Sequence, residues 1–248
     1  MNDWIVPDWP APPSVRAIFT TRKGGVSLAP YADLNLGMHV GDDPLAVSIN
    51  RARVRALLPA EPCWLEQVHG VTVVDAALPT VRQADAAFAA APDVPCVVMV
   101  ADCLPVVFCN RAGTVVAAAH AGWRGLLGGV LEATLAKMGV PVSDVIAWLG
   151  PAIGPESFEV GPEVRDAFVS RAGEDAGCFR SGAEDRWFAD IFGLARARLR
   201  RAGLGADAVF GGGVCTVSDP ARFFSYRRDG ACGRMGAFIW IAGDRSAG

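Results

Sequence analysis

The mostly apolar run Val15–Thr21, with one charged residue, reads as a strand, and it ends in the glycine turn Lys23-Gly24-Gly25. Residues 1–13 before it are a proline-rich lead-in, and residues 31–43 are polar and turn-rich with no period. Asp42 and Asp43 precede Pro44, a capping pattern that predicts a helix to about Leu58, with Pro59 stopping it. Cys63–Val68 and Val71–Asp75 read as two strand pieces around His69 and Gly70. Cys96–Ala101, Pro105–Phe108 and Thr114–Ala119 are three apolar strands. The loops between them are too short for crossover helices, so antiparallel neighbours are expected.

The second half alternates helices and strands. Leu126–Met138 reads as a helix terminated by Gly139 and Pro141. Val145–Leu149 is a strand, and a rigid turn-rich loop follows it. Pro162–Ser170 and Trp187–Ala202 are helices separated by the polar linker Gly182–Arg186. Gly211–Val217 and Phe238–Ala242 are late strands flanking a basic segment. There is no βαβ rhythm and no internal repeat. The pattern predicts one α/β domain over residues 1–248, a mixed sheet flanked by helices.

Composition narrows the function classes. About half the residues are hydrophobic, 52%, so a disordered chain is excluded. The net charge of −3 is interspersed, and no basic stripe points to nucleic acid. No apolar run approaches the roughly 18–20 residues of a membrane span. The N-terminus, with early acids and prolines, is unlike a signal peptide, so a cytoplasmic protein is expected. Cys63, Cys96, Cys109 and Cys178 sit among apolar neighbours and read as buried thiols.

Candidate chemistry gathers at strand ends. Cys103 follows one apolar run, His120 ends another, and His69 stands beside Gly70. Two imidazoles and a thiolate suit a soft metal ion and leave one zinc position open. The same atoms also describe a thiol enzyme, with Cys103 as nucleophile, His120 as base and His69 or Asp102 orienting it. The blander alternative is three unrelated buried polar residues. His39 lies in a polar loop without a cysteine near it. Copper is the alternative occupant, with Met38, Met99 or another methionine as an axial ligand. A multicopper oxidase, however, needs many imidazoles, and the chain has 3 histidines.

Anion-binding candidates are arginines, because Lys23 and Lys137 are the only lysines. Arg124 stands four positions past His120, where a helix start and a guanidinium fork suit a phosphate. Arg227 with Arg228, and Arg22 before a glycine pair, are further candidates. Asn35 and Glu159 could read sugar hydroxyls or a base edge, or serve as turn and cap residues. Phe223 and Phe224 could stack a purine, although core packing is the commoner use.

Eight motifs in order carry a family resemblance: "TTRKGGVS" at 20–27, "LNLGMHVGDD" at 34–43, "NR" at 50–51, "QVHG" at 67–70, "ADCLPVVF" at 101–108, "AAHAGWRG" at 118–125, "LGPAIGPESFEVGPEV" at 149–164 and "FFSYRRDGACGRM" at 223–235. Together they resemble the YfiH-type laccase-domain proteins, once labelled multicopper polyphenol oxidases and also called peptidoglycan editing factors. The chain departs from the pattern at Cys232, where a hydroxyl residue is usual, and at Gly236, where alanine is usual. The resemblance implies a cytosolic, single-domain, cysteine-hydrolase-like α/β fold. It implies a metal, usually zinc, on His69, Cys103 and His120. It also implies phosphorolysis of purine nucleosides, adenosine, inosine and methylthioadenosine, with adenosine deamination alongside. On that reading Cys103, His120, Arg124 and Asp102 are the catalytic candidates, with Asp102 the least supported. Arg22, Asn35, Glu159, Arg227 and Arg228 are the candidate substrate contacts. The alternatives are a cysteine-dependent amide hydrolase acting on peptidoglycan precursors and a metal-stabilised binding protein.

Overall fold

The computed structural model describes residues 3–78 and 83–243. The strands are β1 (Val15–Phe19), β2 (Val73–Asp75), β3 (Ala86–Ala89), β4 (Cys96–Val100), β5 (Leu104–Asn110), β6 (Val116–Ala121), β7 (Val145–Leu149), β8 (Glu159–Val160), β9 (Phe179–Ser181), β10 (Trp187–Ala189), β11 (Val209–Gly211) and β12 (Met235–Ile241). The helices are α1 (Pro44–Arg55), α2 (Trp123–Gly128), α3 (Val130–Met138), α4 (Pro162–Arg171), α5 (Ile191–Arg201) and α6 (Tyr226–Asp229). Among the described residues the strands form a six-stranded mixed sheet, β11-β7-β5-β6-β3-β2, and two three-stranded sheets, β1-β12-β4 and β8-β10-β9. The fold is α/β, a mixed sheet flanked by helices.

The layers follow from the two-residue period of the strands. Val106 and Phe108 of β5, with Ala117 and Ala119 of β6, face a core shared with α2–α5. Val107, Cys109, Val116 and Ala118 face the opposite way, onto β1, β4 and β12. Strand β4 in turn shows Val97 and Met99 to a third cluster beneath α1, with Leu36, Val54 and Trp64. Helix, sheet, sheet and helix therefore stack in order. Central strands covered on both faces read as continuous apolar runs, which is why every residue of β4, β5 and β6 is buried. The lead-in is tied down too. Ile5 exchanges backbone hydrogen bonds with Phe19, and Trp9 packs on the inter-sheet core.

Several expectations are corrected. Strand β5 pairs antiparallel with β6 as expected, but β4 pairs with β12 and lies in the other sheet. The turn between β4 and β5 holds Asp102 at φ 86°, which redirects the chain from one sheet to the next. Cys63–Val68 makes only isolated bridges, and Ala86–Ala89 is a strand that the pattern did not predict. The helix expected over Leu126–Met138 begins earlier, at Trp123, and breaks where Gly129 adopts a left-handed conformation. The helix from Pro44 ends at Arg55. Trp187–Ala189 is strand rather than helix, because Asp190 caps α5 by accepting from the Gly193 N–H. The strand expected over Gly211–Val217 is instead Val209–Gly211, since Gly211, Gly212 and Gly213 all take positive φ. The last strand is Met235–Ile241.

Candidate functional site

Hairpin register brings the candidate ligands together. Leu104 pairs with Ala121 and Pro105 with His120, so Cys103 meets the chain just past β6. His120 shares a face with Val116 and Ala118 and is buried at the strand end. His69 comes from a separate loop, at φ 61°. That loop lies against α2, whose glycine stripe allows the approach. A Cβ on Gly125 would stand 2.9 Å from the Gly70 carbonyl oxygen, and one on Gly128 would stand 2.9 Å from Val71.

The ligand atoms of His69, Cys103 and His120 all lie within 4.8 Å of one another. Cys103 Sγ is 3.8 Å from His69 Nε2, and the two imidazole rings are edge to face at 4.8 Å. Tetrahedral zinc with bonds of about 2.0–2.3 Å sets its ligand atoms about 3.3–3.6 Å apart, so small side-chain motions complete the site. Two nitrogens and one sulfur are a zinc-type donor set, and the residues fit the metal.

Asp85 organises this cluster, and the sequence reading missed it. Its carboxylate is fully buried and accepts from the backbone N–H groups of Val68, His69 and Gly70. It also bonds His120 Nδ1 at 2.8 Å, which leaves Nε2 as the atom available to a metal. A carboxylate behind a ligating imidazole is the usual support of a metal site. Burial alone would raise the Asp85 pKa, but the His120 hydrogen bond and the Gly70 N–H hold it below the ordinary carboxylate value. The one available signal was a lone acid within an alanine-rich run.

The metal-free electrostatics form an ion pair. Burial would raise the Cys103 thiol, but the His120 charge and hydrogen bonds from both imidazoles outweigh it and bring the pKa down to about 6. Burial would lower His120, yet the Cys103 charge and the Asp85 hydrogen bond raise it to about 9. At neutral pH the pair is thiolate and imidazolium. Metal must therefore displace the His120 proton, and its affinity rises with pH until that proton is already gone. Zinc affinity is expected to climb about tenfold per pH unit between pH 7 and 9, then level off. Calorimetry in buffers of differing ionisation enthalpy checks this, with about one proton released per zinc at pH 7.5. A flat affinity over that range would contradict the ion pair.

Gly122 gives a steric test. A Cβ there would lie 2.9 Å from Cys103 Sγ and 2.9 Å from His69 Cδ2. Its backbone, φ −60° and ψ 157°, suits any residue, so only space is at stake. Gly122→Ala is expected to weaken zinc binding at least about tenfold by displacing two candidate ligands, with a melting temperature within a few degrees of wild type. Competitive chelator titration measures this, and unchanged affinity would show that the ligands have room to yield.

A cavity of about 310 Å³ opens over the cluster, with His39, Gln67, Met99, Tyr226 and Arg234 in its wall. Gln67 is locked there, donating to the Met99 carbonyl and accepting the Met99 N–H. A second lobe of about 130 Å³ shares Ala101, Cys103 and Tyr226 with the first and is walled by Trp123, Ile153, Phe158 and Ile191. Burial, then the Arg234 and Arg51 charges, holds His39 below the ordinary imidazole pKa.

The other candidates are placed as follows. Both carboxylate oxygens of Asp102 are engaged, accepting from Thr216 Oγ1, Ser225 Oγ and the Arg227 N–H. Arg22 donates to the carbonyls of Ala32 and Pro220. Arg227 donates to those of Ser157 and Glu159 and edges the smaller lobe. Arg228 is held by Asp229 and by the carbonyls of Thr216, Val217 and Phe223. Arg124 is exposed and lies over the Trp123 ring at 4.4 Å, outside the wall of either lobe. Asn35 is buried and bonds Gly37, Asp42 and the Arg234 N–H. The Glu159 side chain is exposed. Phe223 and Phe224 are fully buried in the core, and Cys232 is buried beside Arg234. Among the described residues no helix is long and apolar enough to cross a membrane.

The chain is similar along nearly its whole length to known proteins. A Pseudomonas aeruginosa protein named purine nucleoside phosphorylase is 57% identical over 97% of this chain and 99% of its own length. Purine nucleoside phosphorylase YfiH of Escherichia coli is 51% identical over 97% of this chain and 100% of its own. A Neisseria meningitidis crystal structure superposes with a TM-score of 0.93 at 50% identity, covering 97% of this chain and 100% of that one. YlmD of Geobacillus stearothermophilus superposes at 0.88 with 30% identity, covering 97% and 96%. Residues 16–242 match the family described as multi-copper polyphenol oxidoreductase laccase. The chain belongs to this YfiH-type laccase-domain family.

Proposed function

We propose that this protein is a zinc-dependent purine nucleoside phosphorylase. It cleaves adenosine, inosine and methylthioadenosine with phosphate to the free base and ribose 1-phosphate or methylthioribose 1-phosphate, and deaminates adenosine as a side activity. The observation that carries the reading is the His69–Cys103–His120 cluster, backed by Asp85, at the wall of a nucleoside-sized cavity. The names of the full-length relatives support the reaction class. Against the multi-copper wording of the family stands ligand arithmetic, since 3 histidines cannot serve several coppers. One copper at most would replace zinc.

In phosphorolysis a phosphate oxygen bonds C1′ as the C1′–N9 bond breaks, and the base departs with a proton. Bound zinc supplies Lewis acidity and a water of lowered pKa, the requirement for deamination. Asp85 fixes the tautomer and aim of His120. Asp102 secures the turn carrying Cys103 and draws the Arg227 backbone to it. The smaller lobe offers apolar surface to the base or sugar substituent and excludes water there. Arg22, Asn35 and Arg228 hold the surrounding loops.

A second reading is supported by the thiolate–imidazolium pair, which is the resting state of a cysteine hydrolase. Zinc-loaded protein incubated with adenosine separates the two. The account expects adenine and ribose 1-phosphate only when phosphate is present, and inosine without it. Phosphate-independent turnover of amides, abolished by thiol alkylation, would favour the hydrolase. A binding protein that needs metal for stability would instead unfold on chelation and turn over neither substrate.

A further inference from the structure

Arg22 and Arg228 spend all three guanidinium nitrogens on protein partners, whereas Arg227 and Arg234 each spend only Nη1, Arg227 at the smaller lobe and Arg234 at the larger one. Arg234 lines the larger cavity together with His39 and the metal cluster. Its Nη1 donates to the carbonyls of Cys232 and Gly233. Its Nε and Nη2 bond no protein group among the described residues. Arg198, Arg201 and Arg228 each have a carboxylate partner, whereas Arg234 has none among the described residues.

The surrounding chain is built to hold this side chain. The Arg234 N–H donates to Asn35 Oδ1, and its carbonyl accepts from the Leu36 N–H. A Cβ on Gly37 would sit 2.8 Å from Arg234 Cγ, so the glycine makes room for the stem. The same short segment runs on to His39. Asn35, Gly37 and His39, all in one sequence motif, thus serve one neighbourhood. An unneutralised fork in a cavity with imidazole donors is suited to a tetrahedral oxyanion.

We infer that Arg234 and His39 form the anion subsite of this cavity and hold inorganic phosphate beside the metal cluster. The identity of the anion rests on the phosphorolytic reading above. The Arg234 fork supplies two donors, His39 a third, and Asn35 and Gly37 act as positioning residues for Arg234.

The test is titration of inorganic phosphate into zinc-loaded wild type and the Arg234→Lys, Arg234→Gln and His39→Gln variants, with phosphate KM measured on adenosine. Zinc content and melting temperature serve as controls. Arg234→Gln is expected to weaken phosphate binding at least about thirtyfold, Arg234→Lys about tenfold and His39→Gln about threefold to tenfold. The adenosine KM should move much less. His39 lies in the cavity wall and belongs to no core cluster, so its variant still decides the matter if the arginine variants fold poorly. Phosphate affinity and KM unchanged in His39→Gln and in every folded Arg234 variant would overturn the subsite. Phosphate binding that depends on Arg234 without nucleoside cleavage would keep the subsite and reject the phosphorolytic reading. Cleavage with an unaltered phosphate KM would do the reverse.

Discussion

Cys103→Ala is expected to reduce bound zinc from about one ion per chain to a small fraction and nucleoside cleavage at least about a hundredfold. Cys103 Sγ is the sulfur donor within 4.8 Å of the His69 and His120 ligand atoms, and two imidazoles alone hold zinc weakly. The fold should survive, because the side chain lies at the cavity wall rather than at the centre of a core cluster. Cys103→Asp sharpens the result. A carboxylate replaces a zinc ligand but not a thiol nucleophile, so zinc content should partly recover. Metal analysis after gel filtration gives the answer, and full zinc occupancy in Cys103→Ala would remove the cysteine from the site.

Asp85→Asn is expected to have the largest effect on stability. Four donors converge on the carboxylate: three backbone N–H groups and His120 Nδ1. An amide offers one acceptor oxygen and turns an NH₂ towards the remaining donors. Leaving buried donors unpaired costs about 3 kcal/mol in total, or about 6–12 °C of melting temperature for a chain of this size. Zinc affinity should fall by about 10–100-fold as well, because His120 loses its orienting partner. Thermal unfolding with and without zinc separates the two effects. A variant as stable as wild type in the metal-free state would mean that the Asp85 hub does not hold the His69 loop.

The site was more legible than the sheet partition. His69, Cys103 and His120 stood out because reactive residue types are scarce here and these fall at the ends of apolar runs. Asp85 was hidden because three of its four partners are backbone N–H groups, on a loop 15–17 residues upstream, and backbone donors leave no mark in a sequence. Arg234 was hidden for a related reason. Sequence shows charge but not which guanidinium groups are fully spent on protein partners, which separates it from Arg22 and Arg228, nor which lobe each lines, which separates it from Arg227. Strands β4 and β5 both read as continuous apolar runs, since each is covered on two faces. Nothing in that pattern says they belong to different sheets; the turn at Asp102 decides it. The helix expected over Trp187–Ala202 failed at its start, where aromatic residues fit strand and helix equally and only the Asp190 cap fixes the boundary.

X-ray absorption at the zinc edge of the loaded protein reads the ligands of the metal. The account predicts a first shell of one sulfur at about 2.3 Å and two imidazole nitrogens at about 2.0–2.1 Å, with a light atom completing four-coordination. In Cys103→Asp the sulfur should vanish while both imidazoles remain. A shell without sulfur in the wild-type protein would contradict the account, leaving Cys103 free to act as a nucleophile.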